Sequence, residues 1–265
     1  MDAKGSGRTR ALALCAGVAL LLAALWWAHI AVGANAQANP GLAKLEIDIW
    51  PEFDRAATLV ILRAEIAPEV TLPASVSLRI PTSSGGPAAL ANAASADGQL
   101  LTIPYERSEV QVDFLTLTFE TERPFFQLEY YDRLKTDSAD RSYSYVWTGD
   151  LPVGELSVQV QQPAGATEFS VQPDLGPDIA GPTGLDYREA NLGALEEGKS
   201  LTVDVAYQKS DPRTSAEILG LPAGAPAPAN PGSDEGLPRW LIVAAVAGAA
   251  VLAAGGFAVW RRRSR

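Results

Sequence analysis

The residues best equipped for chemistry in this chain are aromatic and acidic, and they crowd into one stretch. Between Phe114 and Trp147 lie Phe114, Phe119, Phe125, Phe126, Tyr130, Tyr131, Tyr143, Tyr145 and Trp147. Adjacent residues on a strand point to opposite faces, so Phe125 and Phe126, or Tyr130 and Tyr131, cannot fill one core layer. Tyr143, Tyr145 and Trp147 share a face at two-residue spacing. Left open, that face would be an aromatic platform for stacking on sugar rings or gripping a protein; covered, it is core with hydroxyls at the rim. Core is the simpler expectation for the triplet, and Phe125 and Tyr131 are the members expected to face solvent. These five residues form the candidate ligand-binding set.

Asp132, Asp137 and Asp140 fall between the last two aromatic runs, and clustered carboxylates on a loop can hold Ca²⁺. The D-x-D-x-D-G pattern is absent and Arg133, Lys135 and Arg141 offset the charge, so a solvated loop is expected and no metal or other cofactor. A carboxylate pair could hydrolyse a glycoside, but no spacing singles out two acids, and no catalytic residue is named. Cys15, His29 and Met1 are the sole Cys, His and Met. All three precede the cleavage point argued below, so the mature chain would lack disulfides, thiolate or imidazole metal ligands and Ser–His–Asp or Cys–His nucleophiles.

These residues need a scaffold, and period-two alternation supplies it. Leu45, Ile47 and Ile49 alternate with Glu46 and Asp48; Val76, Leu78 and Ile80 with Ser77 and Arg79; Leu201, Val203, Val205 and Tyr207 with Thr202, Asp204 and Gln208. Leu59 to Leu62 is apolar on both faces and reads as a central strand. Ala88 to Ala94 suggests a short helical turn, and Phe125–Tyr131 with Ser142–Thr148 suggests a hairpin. About nine short strands punctuated by Gly and Pro predict an all-β domain over 39–210, an Ig-like, Greek-key β-sandwich.

Apolar segments flank this domain. Lys4, Arg8 and Arg10, the run Ala11–Val32 and Ala34-Asn35-Ala36-Gln37-Ala38 read as a secretory signal helix over 1–38, cleaved after Ala38 or retained as a second span. Residues 211–238, rich in Pro, Ala and Gly, read as an extended spacer. A transmembrane helix is expected over 239–260. From Trp240 to Trp260 no side chain is charged, a length of roughly 31 Å at helical rise that matches a bilayer's hydrocarbon core. Trp240 and Trp260 mark its boundaries, and Arg261, Arg262, Arg263 and Arg265 in the tail 261–265 fix the C-terminus in the cytoplasm. Small residues such as Ala244, Gly248, Ala249 and Gly255 permit helix-mediated self-association. Spacer, apolar helix and basic tail in that order resemble the cell-wall sorting signal of Gram-positive surface proteins. That signal's Leu-Pro-x-Thr-Gly is replaced by Leu221-Pro222-Ala223-Gly224-Ala225 and Leu237-Pro238-Arg239-Trp240, so a retained anchor is expected.

Charge narrows the partners. Of a formal −10 for 265 residues, the stretch Asn39–Arg239 has fourteen Lys and Arg against thirty Asp and Glu, a balance of −16. Such a domain repels nucleic acid and anionic headgroups. The expected function is a single-pass cell-membrane protein of bacterial-envelope type, its domain outside the cytoplasm, acting as a binding or scaffolding module for a protein or glycan partner. An accessory role in an envelope complex fits. A carbohydrate-binding surface module and a membrane-tethered, carboxylate-based glycan hydrolase are the alternatives. External protease added to spheroplasts is expected to remove the outer domain; full protection would refute this orientation.

Overall fold

The computed structural model describes residues 39–109, 113–181 and 183–221. The segments expected as signal helix, membrane anchor and basic tail lie outside them. Among the described residues no helix is long and apolar enough to cross a membrane. What is described is all-β and sandwich-like: fourteen strands, one 3-10 turn at Thr82–Ser84 and one short α-helix.

In chain order the strands are β1 (Leu42–Pro51), β2 (Ala57–Ile66), β3 (Ala74–Pro81), β4 (Ala89–Ala93), β5 (Leu101–Thr102), β6 (Glu106–Glu109) and β7 (Phe114–Thr121). Then come β8 (Phe125–Arg133), β9 (Asp140–Trp147), β10 (Val153–Gln161), β11 (Thr167–Gln172), β12 (Ile179–Ala180), β13 (Asp186–Leu195) and β14 (Leu201–Gln208), with α1 (Ser215–Leu219) last. One sheet runs β12-β13-β10-β1-β2-β8-β4-β5; opposite it are two three-stranded sheets, β11-β14-β9 and β3-β7-β6. All pairings are antiparallel except β1 with β10.

Alternation explains the layers. Leu45, Ile47 and Ile49 of β1, Val60 and Leu62 of β2, Val76, Leu78 and Ile80 of β3 and Val203 and Val205 of β14 turn into one shared core. Each such side chain contributes about 1.5–3 kcal/mol by leaving water. β2 is central as expected: its second apolar phase, Leu59 and Ile61, joins Trp50, Phe53, Leu185 and Tyr187 in a smaller cluster on the sheet's outer face.

Four expectations change. Ala89–Ala93 is a strand, because Leu90 reaches the core and the segment pairs with β8 along its length. β8 and β9 do not form a hairpin: β8 lies between β2 and β4, whereas β9 pairs with β14 in the opposite layer. β13, which lacks clean alternation, was not expected at all; it borders β10 near the sheet edge and is mostly half-buried or exposed. The domain also does not stop at 210, since residues 211–221 fold against it.

That last segment is held by a buried charge cluster at the end of β1. Glu52, only 2% exposed and in the left-handed region at φ 47°, accepts from Arg141 Nε at 3.1 Å and Tyr207 Oη at 2.8 Å, and from Lys209 Nζ at 3.1 Å. Lys209, 1% exposed, also donates to the carbonyls of Asp211 (2.7 Å) and Arg213. Ser215 N and Ala216 N donate to the carbonyls of Glu52 (2.9 Å) and Phe53 (2.8 Å). A capping box between Thr214 and Glu217 starts α1, and Gly220, in the left-handed region, ends it. Leu219 and Leu221 then pack on the outer-face cluster. Glu52→Gln leaves two buried cations without their counter-charge and is expected to cost about 3 kcal/mol. Urea unfolding measures the loss, and limited proteolysis should cut faster within 211–221.

Candidate functional site

The outer face of the eight-stranded sheet carries candidate side chains that lie outside the core between the layers. In phase opposite to the core it presents Lys44, Glu46, Asp48 and Trp50 from β1 and Leu59, Ile61, Arg63 and Glu65 from β2. β8 adds Phe125, Gln127, Glu129 and Tyr131. Cross-strand register sets these in rows: Asp48–Ile61–Glu129, Glu46–Arg63–Gln127 and Lys44–Glu65–Phe125. In the row Trp50–Leu59–Tyr131, the first two belong to the apolar cluster, and Tyr131 packs against it as Leu219 of α1 does. The rows farther from α1 are more open.

Charge is paired locally along these rows. Arg63 donates to the buried Asp48, and Lys44 sits 2.8 Å from Glu46. Gln127 Nε2 donates to Glu129 at 2.6 Å. Burial pushes the carboxyls of Asp48 and Glu129 above the ordinary carboxylate range, and for Asp48 that effect outweighs the opposing pull of Arg63. Tyr131 is half-buried; its hydroxyl donates to Asp54 at 2.8 Å and the Arg55 guanidinium lies 3.6 Å from its ring centroid. Burial first, then the bond to Asp54, raises its phenol.

A cleft of about 200 Å³ opens at the end of these rows. Lys44, Glu46, Arg63, Glu65, Phe125 and Gln127 form its floor, and Ala93, Ala96 and Leu100 its wall. A second trough of about 280 Å³ crosses the outer face of the β11-β14-β9 sheet between Ser142, Ser144, Ser170, Gln172 and Asp204. On that trough no aromatic side chain faces outward, since Tyr143 lies in the core phase.

The five aromatic candidates do not form one platform. Tyr143, Tyr145 and Trp147 lie in the core between the layers, all in the inward phase of β9. Phe125 and Tyr131 are half-buried on the opposite side of β8, the outer face. One side of the Tyr131 ring is already occupied by Arg55. The three loop acids also separate. Asp132 is buried and accepts from Ser83 Oγ, Tyr143 Oη (3.1 Å) and Arg133 N (2.8 Å), while Asp137 and Asp140 remain exposed. Among the described residues no three His, Cys, Asp or Glu side chains converge to hold a metal.

Sequence reasoning missed Glu52, Arg141 and Lys209. A signal for the last two was present: Arg141 is in phase with Tyr143, Tyr145 and Trp147, and Lys209 with Val203, Val205 and Tyr207. A charge that keeps the core phase of a strand implies a buried partner.

No protein-family model matches the chain, and a search of the curated proteins finds no match.

Glu129 yields a pH test. A carboxyl whose folded value is raised takes up its proton while the unfolded chain is still ionised. Its contribution to stability therefore falls as pH rises from the ordinary carboxylate value through the raised one. Glu129→Gln keeps an acceptor for Gln127 and removes this fall. The variant should melt at or above the parent at neutral pH, with the gap closing near about pH 3, where both states of the parent are protonated. A variant less stable than the parent at neutral pH would contradict the burial effect.

Proposed function

We propose that the chain is a single-pass membrane protein whose domain, displayed outside the cytoplasm, is a binding or scaffolding module. The outer face of the eight-stranded sheet is its contact surface. The observation that carries this reading is the coincidence, on one face, of the half-buried Phe125, the cleft beside it and several fixed charges. A second support is the folded segment 211–221, which fastens the start of the spacer to the sandwich, as a tethered module requires. Ig-like, Greek-key connectivity belongs to the same reading: β7, β8 and β9 follow one another in sequence yet alternate between the layers.

A photo-reactive residue at Gln127, on this face, is expected to cross-link a partner in native membranes, whereas one at Ser144, on the opposite face, is not. Equal labelling from both positions, or none from either, would count against the assignment. Turnover of a glycan by the purified protein that disappears on replacing one Asp or Glu would overturn the binding role in favour of hydrolysis.

A further inference from the structure

Phe125 is the unfilled counterpart of an arrangement the sheet has already built once. Tyr131, six residues along the same strand and in the same outward phase, carries the Arg55 guanidinium 3.6 Å from its ring centroid with the Asp54 carboxylate on its hydroxyl. Elsewhere Arg188 lies 5.2 Å from the Phe169 ring. Among the described residues no cation covers Phe125. Its direct cross-strand neighbour is Glu65, with the two Cβ atoms about 5 Å apart. Glu65 makes no ion pair among the described residues. The two cations of the cleft are engaged, Lys44 with Glu46 and Arg63 with Asp48. The charged residues lining the cleft, Lys44 and Arg63 against Glu46 and Glu65, balance in number, but both cations are held by carboxylates other than Glu65, and Lys44 stands directly across from Glu65 on β1. Ala93, Ala96 and Leu100 supply an apolar wall.

A ring face, a lone carboxylate and an apolar wall suit a cation on an aliphatic stem. We infer that the Phe125–Glu65 cleft receives an arginine side chain from a basic segment of a protein partner, the stem against Leu100 and the guanidinium over Phe125 and paired with Glu65. Arginine is the fitting cation because its planar, weakly hydrated group both stacks and pairs with a carboxylate. A partner segment of net positive charge also suits a domain region of −16. This inference rests on the proposed binding role and specifies its occupant.

The test uses the full-length protein in maltoside micelles and a fluorescein-labelled peptide, Gly-Arg-Leu-Arg-Gly, at low salt, read by fluorescence anisotropy. A second peptide replaces both arginines by citrulline, which keeps the shape and removes the charge. The arginine peptide is expected to bind and the citrulline peptide not. Phe125→Leu, which keeps apolar bulk but loses the ring, and Glu65→Gln should each weaken binding about fivefold. Glu65→Lys should weaken it further, and Glu122→Gln, at an exposed position outside the cleft, should leave it unchanged. The inference is overturned if both peptides bind alike, or if all four variants bind alike, which would mean diffuse attraction. Displacement by phosphocholine more readily than by unlabelled arginine peptide would overturn it too, pointing to a lipid headgroup. Cross-links from position 127 without arginine selectivity would leave the binding role and remove this occupant; absence of both would remove the role as well.

Discussion

A carboxylate withdrawn from water must find its charge and hydrogen bonds inside the protein, and Glu52 is where this fold meets that constraint. Its side chain draws donors from β9, β14 and the residue following β14, while its own carbonyl receives the first amide of α1. Three parts of the chain far apart in sequence therefore agree at one residue. Leaving any partner behind would strand a charge in a low dielectric, a penalty larger than most single packing defects. The left-handed backbone at Glu52 persists because these contacts over-determine it.

The same reasoning separates the two faces of the large sheet. Its inner face is mostly apolar, and its Asn92 and Asp132 hydrogen-bond to Thr121 and Tyr143 of the opposite layer. Its outer face passes from an aromatic and aliphatic end, sealed by Leu185, α1 and Leu221, to an end of paired charges with a cleft. β2 therefore has apolar residues in both phases at Leu59–Leu62 and a charge in the outer phase at Arg63. Cover and opening are written along a single strand.

Much of this was legible in the sequence, and what was not has physical causes. Strict alternation in β1, β3 and β14 revealed strands because each has one face in the core. β13 escaped notice because a strand near a sheet edge, half in solvent, needs no apolar phase. The β8–β9 hairpin was a reasonable expectation from proximity, yet Asp132, near the end of β8, is bonded inward to Ser83 and Tyr143, and the chain crosses to the opposite layer for β9. Alternation marked Phe125 and Tyr131 as outward and the Tyr143 triplet as one face, but gave no indication of which layer β9 would join. The segment after 210 looked like spacer by composition. Its capping box, Thr214 to Glu217, was the local sign that a helix begins there.

The attachment at Glu52 has a mechanical consequence. Tension on the chain beyond Leu221 does not first peel β14 from its sheet, because Lys209 and the amides of Ser215 and Ala216 are fastened to the β1–β2 turn. The load passes into β1, flanked on both sides by long ladders with β2 and β10, and runs along the strands. Ladder bonds then share force in shear instead of opening one after another. A pull on the chain beyond Leu221 is thus held by the middle of the largest sheet.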